Sequence, residues 1–215
     1  MTMLYQAIEL RLWQKDMVQL ARSAQNGLLS EDSARNYLTR RQVQTVMNRE
    51  IELLEVIAFN GLYYNMIEFD STHRCRVYNE FPELNDNFLD RLSFIRTSDV
   101  LSSQPFRKYH FIHLTFQEYF AAQYFVRCWV QNTSLARLGL TSSERVTWVN
   151  AREILESHKY SKRYSVMWRF VAGLFEGAEG ESFLQALDGE PRDLLGYTHL
   201  RLKMCFFHEL PRRQS

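Results

Sequence analysis

One histidine stands where a short run of aromatic and β-branched residues passes into a long apolar run, and this junction is the position best suited to chemistry. The run before His113 predicts a strand that ends beside it. Thr115 and Glu118 have the spacing of a capping box, in which the two side chains satisfy the first N–H groups of a helix. The positive end of that helix dipole would then lie next to His113, which favours a bound phosphate there.

The residues around His113 also form a motif that resembles a known signature. It resembles the winged-helix segment of the NACHT family of signalling NTPases, which includes the NOD-like receptors. In that family the matching histidine contacts the β-phosphate of bound ADP and helps to hold the off state, so the resemblance implies a nucleotide-sensing role for His113. The motif reads Phe111, Ile112, His113, Leu114, Thr115, Phe116, Gln117, Glu118, Tyr119, Phe120, Ala121 and Ala122.

The resemblance covers most of the chain. Residues 163–174 resemble the helical region that follows the winged helix in many filamentous-fungal NACHT proteins, and residues 4–10 resemble the helical link that follows the NTPase core. The implied fold is mainly α, with a winged-helix domain that carries a small β-hairpin, followed by an α-helical domain. The implied function is regulatory: the chain stabilises an ADP-bound off state and opens on activation. The implied parts are a link over 1–34, a winged-helix domain over 35–132 and a helical domain over 133–215.

The chain departs from the family in its phosphate-binding elements. No G-x-x-x-x-G-K-[ST] occurs among the 215 residues, and no acidic run of the Walker B type precedes the first predicted helix. We therefore expect no enzyme activity and no cofactor in this chain alone. ADP or ATP with Mg²⁺ is expected for an intact parent, with an NTPase core as partner in cis or in trans and self-association on activation. The chain would then be a fragment, a truncated gene model or a decayed copy.

Charge and composition narrow the classes of partner and the cellular compartment that we expect. The net charge of +1 gives no electrostatic reason to expect nucleic acid or an acidic membrane as a partner, and no run of about 18 apolar residues predicts a membrane span. The three cysteines, Cys75, Cys128 and Cys205, are far apart and form no metal-binding or disulfide pattern. An odd number of free thiols fits a reducing compartment, so we expect a cytoplasmic protein.

Helical periodicity dominates the chain. Gly61 stands where a left-handed residue after a helix is wanted, and Pro191 suits the first position of a helix. The helix over 115–130 is apolar on most faces, so it should be buried. The predicted helices cover residues 3–22, about 34 or 37 to 60, 72–81, 83–92, 115–130, 146–158, 163–176, 180–187 and 191–209.

Two short segments predict a hairpin. Residues 93–96 and 109–112 are rich in β-formers and flank a polar loop, which together with the neighbouring short helices is typical of a winged helix. Residues 62–69 fit either a strand or a helix. Residues 23–33 and 131–145 predict a linker and a loop.

Other interpretations of the same residues stay open. A lone histidine at a strand–helix junction is commonly structural, and His110 and His113 straddle a strand, so a shared metal ion is improbable. The leading alternative function is a free-standing or vestigial protein-interaction module without enzyme activity.

A DNA-binding winged helix is the third interpretation, and charge disfavours it. A helix that reads the major groove presents Lys, Arg, Asn or Gln. The candidate helix 83–92 instead carries Glu83, Asp86 and Asp90 against Arg91. Phosphate repulsion therefore opposes DNA binding.

Overall fold

The computed structural model describes residues 1–23, 39–82, 84, 88–98, 106–141, 144–175, 177–193 and 197–209. Over these residues the chain is mainly helical, as predicted, with two small antiparallel hairpins. The prediction of a single hairpin is wrong. The helices are α1 (Thr2–Ser23), α2 (Arg40–Val46), α3 (Asn48–Tyr63), α4 (Ser71–Glu80), α5 (Leu114–Gln131), α6 (Ala151–His158), α7 (Ser165–Leu174), α8 (Ala178–Leu187) and α9 (Thr198–Glu209); the strands are β1 (Ile95–Thr97), β2 (Tyr109–Phe111), β3 (Ser134–Arg137) and β4 (Thr147–Asn150).

The first predicted helix is confirmed as α1, but the second is wrong in its continuity. Thr39 caps α2 through a capping box with Gln42, and the helix then breaks at Met47, where φ is −107° and ψ is 25°. The apolar stripe continues into α3 on the other side of the break, so periodicity alone does not reveal it. The start predicted at 34 or 37, and the linker predicted over 23–33 apart from Ser23, lie outside the described residues.

Gly61 does not end its helix, contrary to the prediction. α3 continues to Tyr63, and Asn65 takes the left-handed conformation after it, with φ of 58°. Packing explains why this position holds a glycine. A Cβ there would lie 2.4 Å from Nε2 of Gln117 and 2.8 Å from the ring of Phe69. The absence of a side chain thus lets α3 approach the first turn of α5.

The first hairpin matches the predicted strands over 93–96 and 109–112. β1 and β2 are antiparallel, with Ile95 opposite Phe111 and Thr97 opposite Tyr109. Phe69 adds an isolated bridge to Tyr109, so the ambiguous residues 62–69 end a helix, turn and reach the hairpin edge. Most of the predicted loop between the strands, residues 99–105, lies outside the described part of the chain.

The helix predicted over 72–81 is confirmed as α4, and the one predicted over 83–92 is not. Asp70 caps α4, because its Oδ1 accepts a hydrogen bond from the N–H of His73 at 2.9 Å. Within the described part of 83–92 only Leu89–Arg91 forms a single 3₁₀ turn. Residues 83 and 85–87 lie outside the described residues.

α5 lies at the centre of the core, which confirms the predicted burial of this helix. It packs against α3 on one side and α7 on another. The side chains of Tyr119, Phe120 and Phe125 are fully buried, and Ala121 and Ala122 let neighbouring backbones come close. The core is continuous across the predicted boundary at 132/133; the predicted domain limits themselves stay predictions.

The region predicted as a loop over 131–145 contains β3, which pairs with β4. The buried side chain of Asn60 forms hydrogen bonds with the backbone of this segment. It donates to the carbonyl of Ala136 at 3.0 Å and accepts from the N–H of Leu138 at 2.9 Å. Such long-range bonds are invisible to local sequence patterns. The helix predicted from 146 therefore begins only at Ala151, after β4.

The last predicted helices are confirmed in part. α7 and α8 fall within 163–176 and 180–187 apart from one or two end residues. Pro191 does not open a helix, and the prediction for this position is wrong: the last helix, α9, begins only at Thr198.

Gly61→Ala tests the packing argument at the α3–α5 contact. At an exposed helical site this change stabilises a protein by about 1 kcal/mol, because alanine favours the helix. Here we expect the opposite sign, a loss of about 1–3 kcal/mol from overpacking against Gln117 and Phe69. Urea unfolding followed by circular dichroism measures the change. A stabilised Gly61→Ala variant would mean that the two helices have room to separate.

Candidate functional site

His113 caps α5, so the predicted capping box of Thr115 and Glu118 is wrong. His113 has extended backbone angles, φ −152° and ψ 143°, and its Nδ1 accepts a hydrogen bond from the N–H of Thr115 at 3.2 Å. The helix starts at Leu114, one residue before the predicted start, and this moves Thr115 inside the first turn. An imidazole nitrogen replaces the hydroxyl acceptor that the sequence pattern suggested.

Glu118 is a buried acid instead of a capping group. Its residue surface is 8% exposed, and within the described part of the chain no hydrogen bond or ion pair holds its carboxylate. Burial raises the pKa of Glu118 to about 7, because desolvation penalises the ionised form.

The geometry fixes which nitrogen of His113 faces outward as a donor. Because Nδ1 accepts the Thr115 N–H, the proton of the neutral ring lies on Nε2. The residue is exposed, and none of the described residues hydrogen-bonds to Nε2. The ring therefore offers one oriented N–H group to solvent at the first turn of an 18-residue helix.

Tyr5 of α1 completes the site, although no sequence pattern pointed to it. Its hydroxyl lies 2.5 Å from Oγ1 of Thr115, which in turn lies 2.6 Å from Nδ1 of His113. Since Nδ1 is the acceptor, the hydroxyls form a chain that runs from Tyr5 through Thr115 to the imidazole. The Tyr5 ring also packs against Phe116 and Phe170, with centroids 5.0 and 4.9 Å apart.

Buried carboxylates hold α1 against the rest of the core. Glu9, which is 0% exposed, accepts a 2.7 Å hydrogen bond from the hydroxyl of Tyr119 on α5 and pairs with Nε of Arg40 at 3.1 Å. One turn on either side of Glu9 lie Tyr5 and Trp13, so polar and aromatic contacts share one face. An acid at an apolar position of the helical stripe was the available signal for this contact.

A second acid of α1 anchors its C-terminal half. Asp16 accepts from the backbone N–H of Ser93 at 2.8 Å and from its hydroxyl at 2.6 Å. Burial raises the pKa of Asp16 to about 6, although both hydrogen bonds from Ser93 oppose that rise. α1 is therefore tied to both the hairpin region and α5.

The two histidines near the junction do not come together. His110 lies on β2 and its Nδ1 is 3.1 Å from Oγ of Ser98, whereas the Nδ1 of His113 serves the helix cap. The described residues contain no group of three or more His, Cys, Asp or Glu side chains placed to hold a metal ion. Of the helices described, none is both long and apolar enough to cross a membrane.

Comparison of the chain with protein-family models, with curated proteins and with solved structures gave no match.

A double-mutant cycle tests the contact between α1 and the junction. Tyr5→Phe keeps the ring contacts and removes the hydroxyl, so we expect a loss of about 0.5–1.5 kcal/mol in the free energy of unfolding. Thr115→Val removes the central hydroxyl, and Thr115→Ser, the matched control, retains it. The two losses should be non-additive by about 0.5–1 kcal/mol. Additive losses in denaturant unfolding would show that the two hydroxyls do not interact.

Glu118→Gln tests the burial of this acid through pH. The folded protein binds the Glu118 proton more tightly than the unfolded chain does, so ionisation destabilises the fold as pH rises from 4.5 toward about 7. Glutamine carries no ionisable group. We expect equal stabilities at pH 4 and a gain of about 1–3 kcal/mol for Glu118→Gln at pH 8. Parallel pH–stability curves for variant and wild type would show that Glu118 titrates as an exposed acid.

Proposed function

We propose that this chain is the regulatory portion of a NACHT-type signalling NTPase, with His113 as the residue that senses bound nucleotide. In this proposal residues 35–132 form a winged-helix domain in which β1 and β2 are the wing. Residues 1–34 link that domain to an NTPase core, and residues 133–215 form the following helical domain. The chain closes over ADP in the off state and swings away on activation, so nucleotide biases a two-state element.

The observation that carries the proposal is the fixed, outward Nε2–H of His113. Thr115 holds the opposite nitrogen, so the ring is oriented before any phosphate arrives, and little side-chain freedom is lost on contact. A hydrogen bond from imidazole to a phosphate oxygen exists only in the closed arrangement. It therefore stabilises the closed state alone, which is the requirement for a switch.

The surroundings of His113 support a closed state that covers them. Its neighbours Ile112 and Leu114 are 36% and 47% exposed, so apolar surface flanks the polar group. Apolar surface around one oriented polar group is a common composition for a surface that becomes buried against another domain. Tyr5 gives a route for the signal, because it joins the helix that leads to the core with the sensing residue.

The residues of this chain fit one phosphate contact and not a whole nucleotide site. A P-loop surrounds phosphates with many backbone N–H groups and a lysine, and no such sequence is present. The NTPase core would supply the cradle and the Mg²⁺, and bound ADP would supply the anionic oxygen that His113 contacts.

A second candidate function, a non-enzymatic interaction module, has one observation in its favour. Four large apolar or aromatic side chains at and after the start of α9 are exposed at i, i+3, i+7 and i+10 spacing, which places them on one helical face. They are Tyr197, Leu200, Met204 and Phe207, with exposures of 85, 55, 63 and 60%.

His113→Leu in the full-length product of the gene is the test of the sensing role. Leucine keeps apolar packing and removes the donor. Loss of a hydrogen bond to a charged oxygen removes about 1.5–3 kcal/mol from the closed state and shifts the equilibrium roughly ten- to a hundred-fold toward open. We expect faster release of bound ADP by that factor, and self-association without ligand. Release of labelled ADP and mass by light scattering give the two readouts.

The matched control is His110→Leu, since His110 lies on the adjacent strand and bonds to Ser98. This variant should release ADP at the wild-type rate. Unchanged ADP release in a folded His113→Leu protein would return His113 to a structural role. A full-length product without a P-loop would overturn the whole proposal in favour of the interaction module.

A further inference from the structure

A cavity of about 590 Å³ lies where the turn before α7 and one face of α7 meet α9. Its volume falls in the range of small-molecule binding sites. It is separate from the junction at His113, since none of its lining residues belongs to α1, α5 or the first hairpin. Ligand binding in this cavity therefore does not depend on the nucleotide-sensing role of His113.

The charges that line this cavity have one sign. Lys159, Lys162, Arg169 and Arg201 line it, and no aspartate or glutamate does among the described residues. Lys162 and Arg201 are exposed and have no carboxylate partner in the described part of the chain. The cavity thus concentrates positive charge on a chain whose formal net charge is only +1.

Acids lie near the cavity, although none among the described residues is part of its lining. Glu190 and Glu156 act on Lys159 from outside the lining and favour its charged form. Two other nearby acids have partners of their own. Asp188 pairs with Lys203 at 2.8 Å and with His199 at 2.9 Å. Glu209 binds the N-terminal ammonium at 3.0 Å and lies 3.4 Å from Arg169, so it neutralises part of one cation in the wall. Acids of the protein therefore offset only part of the positive charge of the cavity, and they leave Lys162 and Arg201 without a salt bridge in the described part of the chain.

Lys159 adds a buried positive charge whose hydrogen-bond acceptors are neutral carbonyls. Its residue surface is 2% exposed, and its Nζ donates to the carbonyls of Leu187 at 3.1 Å and Gly189 at 2.6 Å. Desolvation lowers the pKa of this ammonium. A negative charge placed in the cavity would favour the ammonium form and be attracted by it in return.

Hydroxyl and apolar groups complete the wall. Ser165 and Thr198 open α7 and α9, so two helix N-termini and two hydroxyls lie at the cavity with the cations. Val166 and Leu202 supply an apolar side, and Tyr197, 85% exposed, stands at the opening with its ring. A ligand that fits is anionic at one end and apolar or aromatic at the other.

From these contacts we propose that the cavity between α7 and α9 is a binding site for a phosphate monoester that carries an aromatic or apolar group. Arg201 and Lys162 bind the phosphate oxygens as charge-assisted donors, and the hydroxyls of Ser165 and Thr198 add neutral ones. Val166, Leu202 and Tyr197 contact the organic portion. A soluble metabolite and a phosphorylated lipid headgroup share this chemistry.

Cys205 makes the site measurable, because its half-buried thiol lines the same cavity. The probe is phenyl phosphate, and the readout is the rate of alkylation of each cysteine by iodoacetamide, followed by mass spectrometry. With a dissociation constant on the order of 1 mM, about 5 mM phenyl phosphate should slow alkylation of Cys205 roughly sixfold. The exposed Cys75 on α4 is the internal control and should react at an unchanged rate. Phenol and inorganic phosphate, each with half of the chemistry, should protect less.

Charge variants locate the effect. Arg201→Glu and Lys162→Glu should each abolish protection. Arg201→Gln and Lys162→Gln remove the charge without reversing it and should weaken protection. They replace the glutamate variants if the reversed charges disturb folding. Arg11→Glu on the exposed face of α1 is the matched control and should retain full protection. Vesicles of phosphatidylcholine with about one-tenth phosphatidylinositol 4-phosphate separate the two sources, since binding to them but not to plain vesicles identifies a headgroup.

Four results would overturn the proposal. Cys205 could react at the same rate with and without phenyl phosphate up to about twentyfold the expected dissociation constant. Protection could persist in a folded Arg201→Glu or Lys162→Glu protein, which would place the ligand elsewhere. Phenol could protect as well as phenyl phosphate, which would make the cavity apolar in its preference. Loss of protection in His113→Ala, with the cavity intact, would likewise assign the effect to the junction.

Discussion

The structure depends on α5 being buried on nearly every face. A helix with aromatic and small residues all round needs partners on several sides, and α3, α7 and α1 provide them. Because Gly61 has no side chain, α3 can approach the first turn of α5 closely. Because the middle of α5 is enclosed, the helix meets solvent at its two ends, and His113 caps the N-terminal end. The exposure of the histidine follows from the burial of the helix behind it.

α1 is held by buried polar groups in addition to apolar packing. Glu9 and Asp16 are buried acids with specific donors, and removing either donor would leave a desolvated carboxylate. Such contacts fix the register and rotation of a helix more strictly than leucine packing does, since a shift of one residue leaves charge unpaired. The hydroxyl of Tyr5 meets Thr115 only in that register. The position of the junction histidine is thus coupled to the position of α1.

Short-range sequence patterns predicted those elements whose formation depends on residues close to one another in the chain. The first hairpin, α1, α4 and the burial of α5 follow from periodicity and turn residues, and they were predicted. The role of Gly61 and strand β3 depend on contacts with distant residues, so no window of sequence contains their cause. The site shows the same division. His113 was identified from its neighbours, whereas its role as a cap and its contact through Thr115 with Tyr5, about 110 residues away, required the fold.

The net charge of this protein does not predict the charge of its individual surfaces, because several acids lie in the core. Glu9, Asp16 and Glu55 have side chains enclosed by the core, and burial raises the pKa of Glu55 to about 7 despite the arginine beside it. Glu9 pairs with Arg40, and Glu55 pairs with Arg127, so these acids offset the arginines beside them and no cation elsewhere on the surface. The formal value of +1 therefore sums charges that lie far apart in the fold. A sum over the chain argues against a broadly basic face, but it says nothing about a cavity whose lining holds four cations and, among the described residues, no acid.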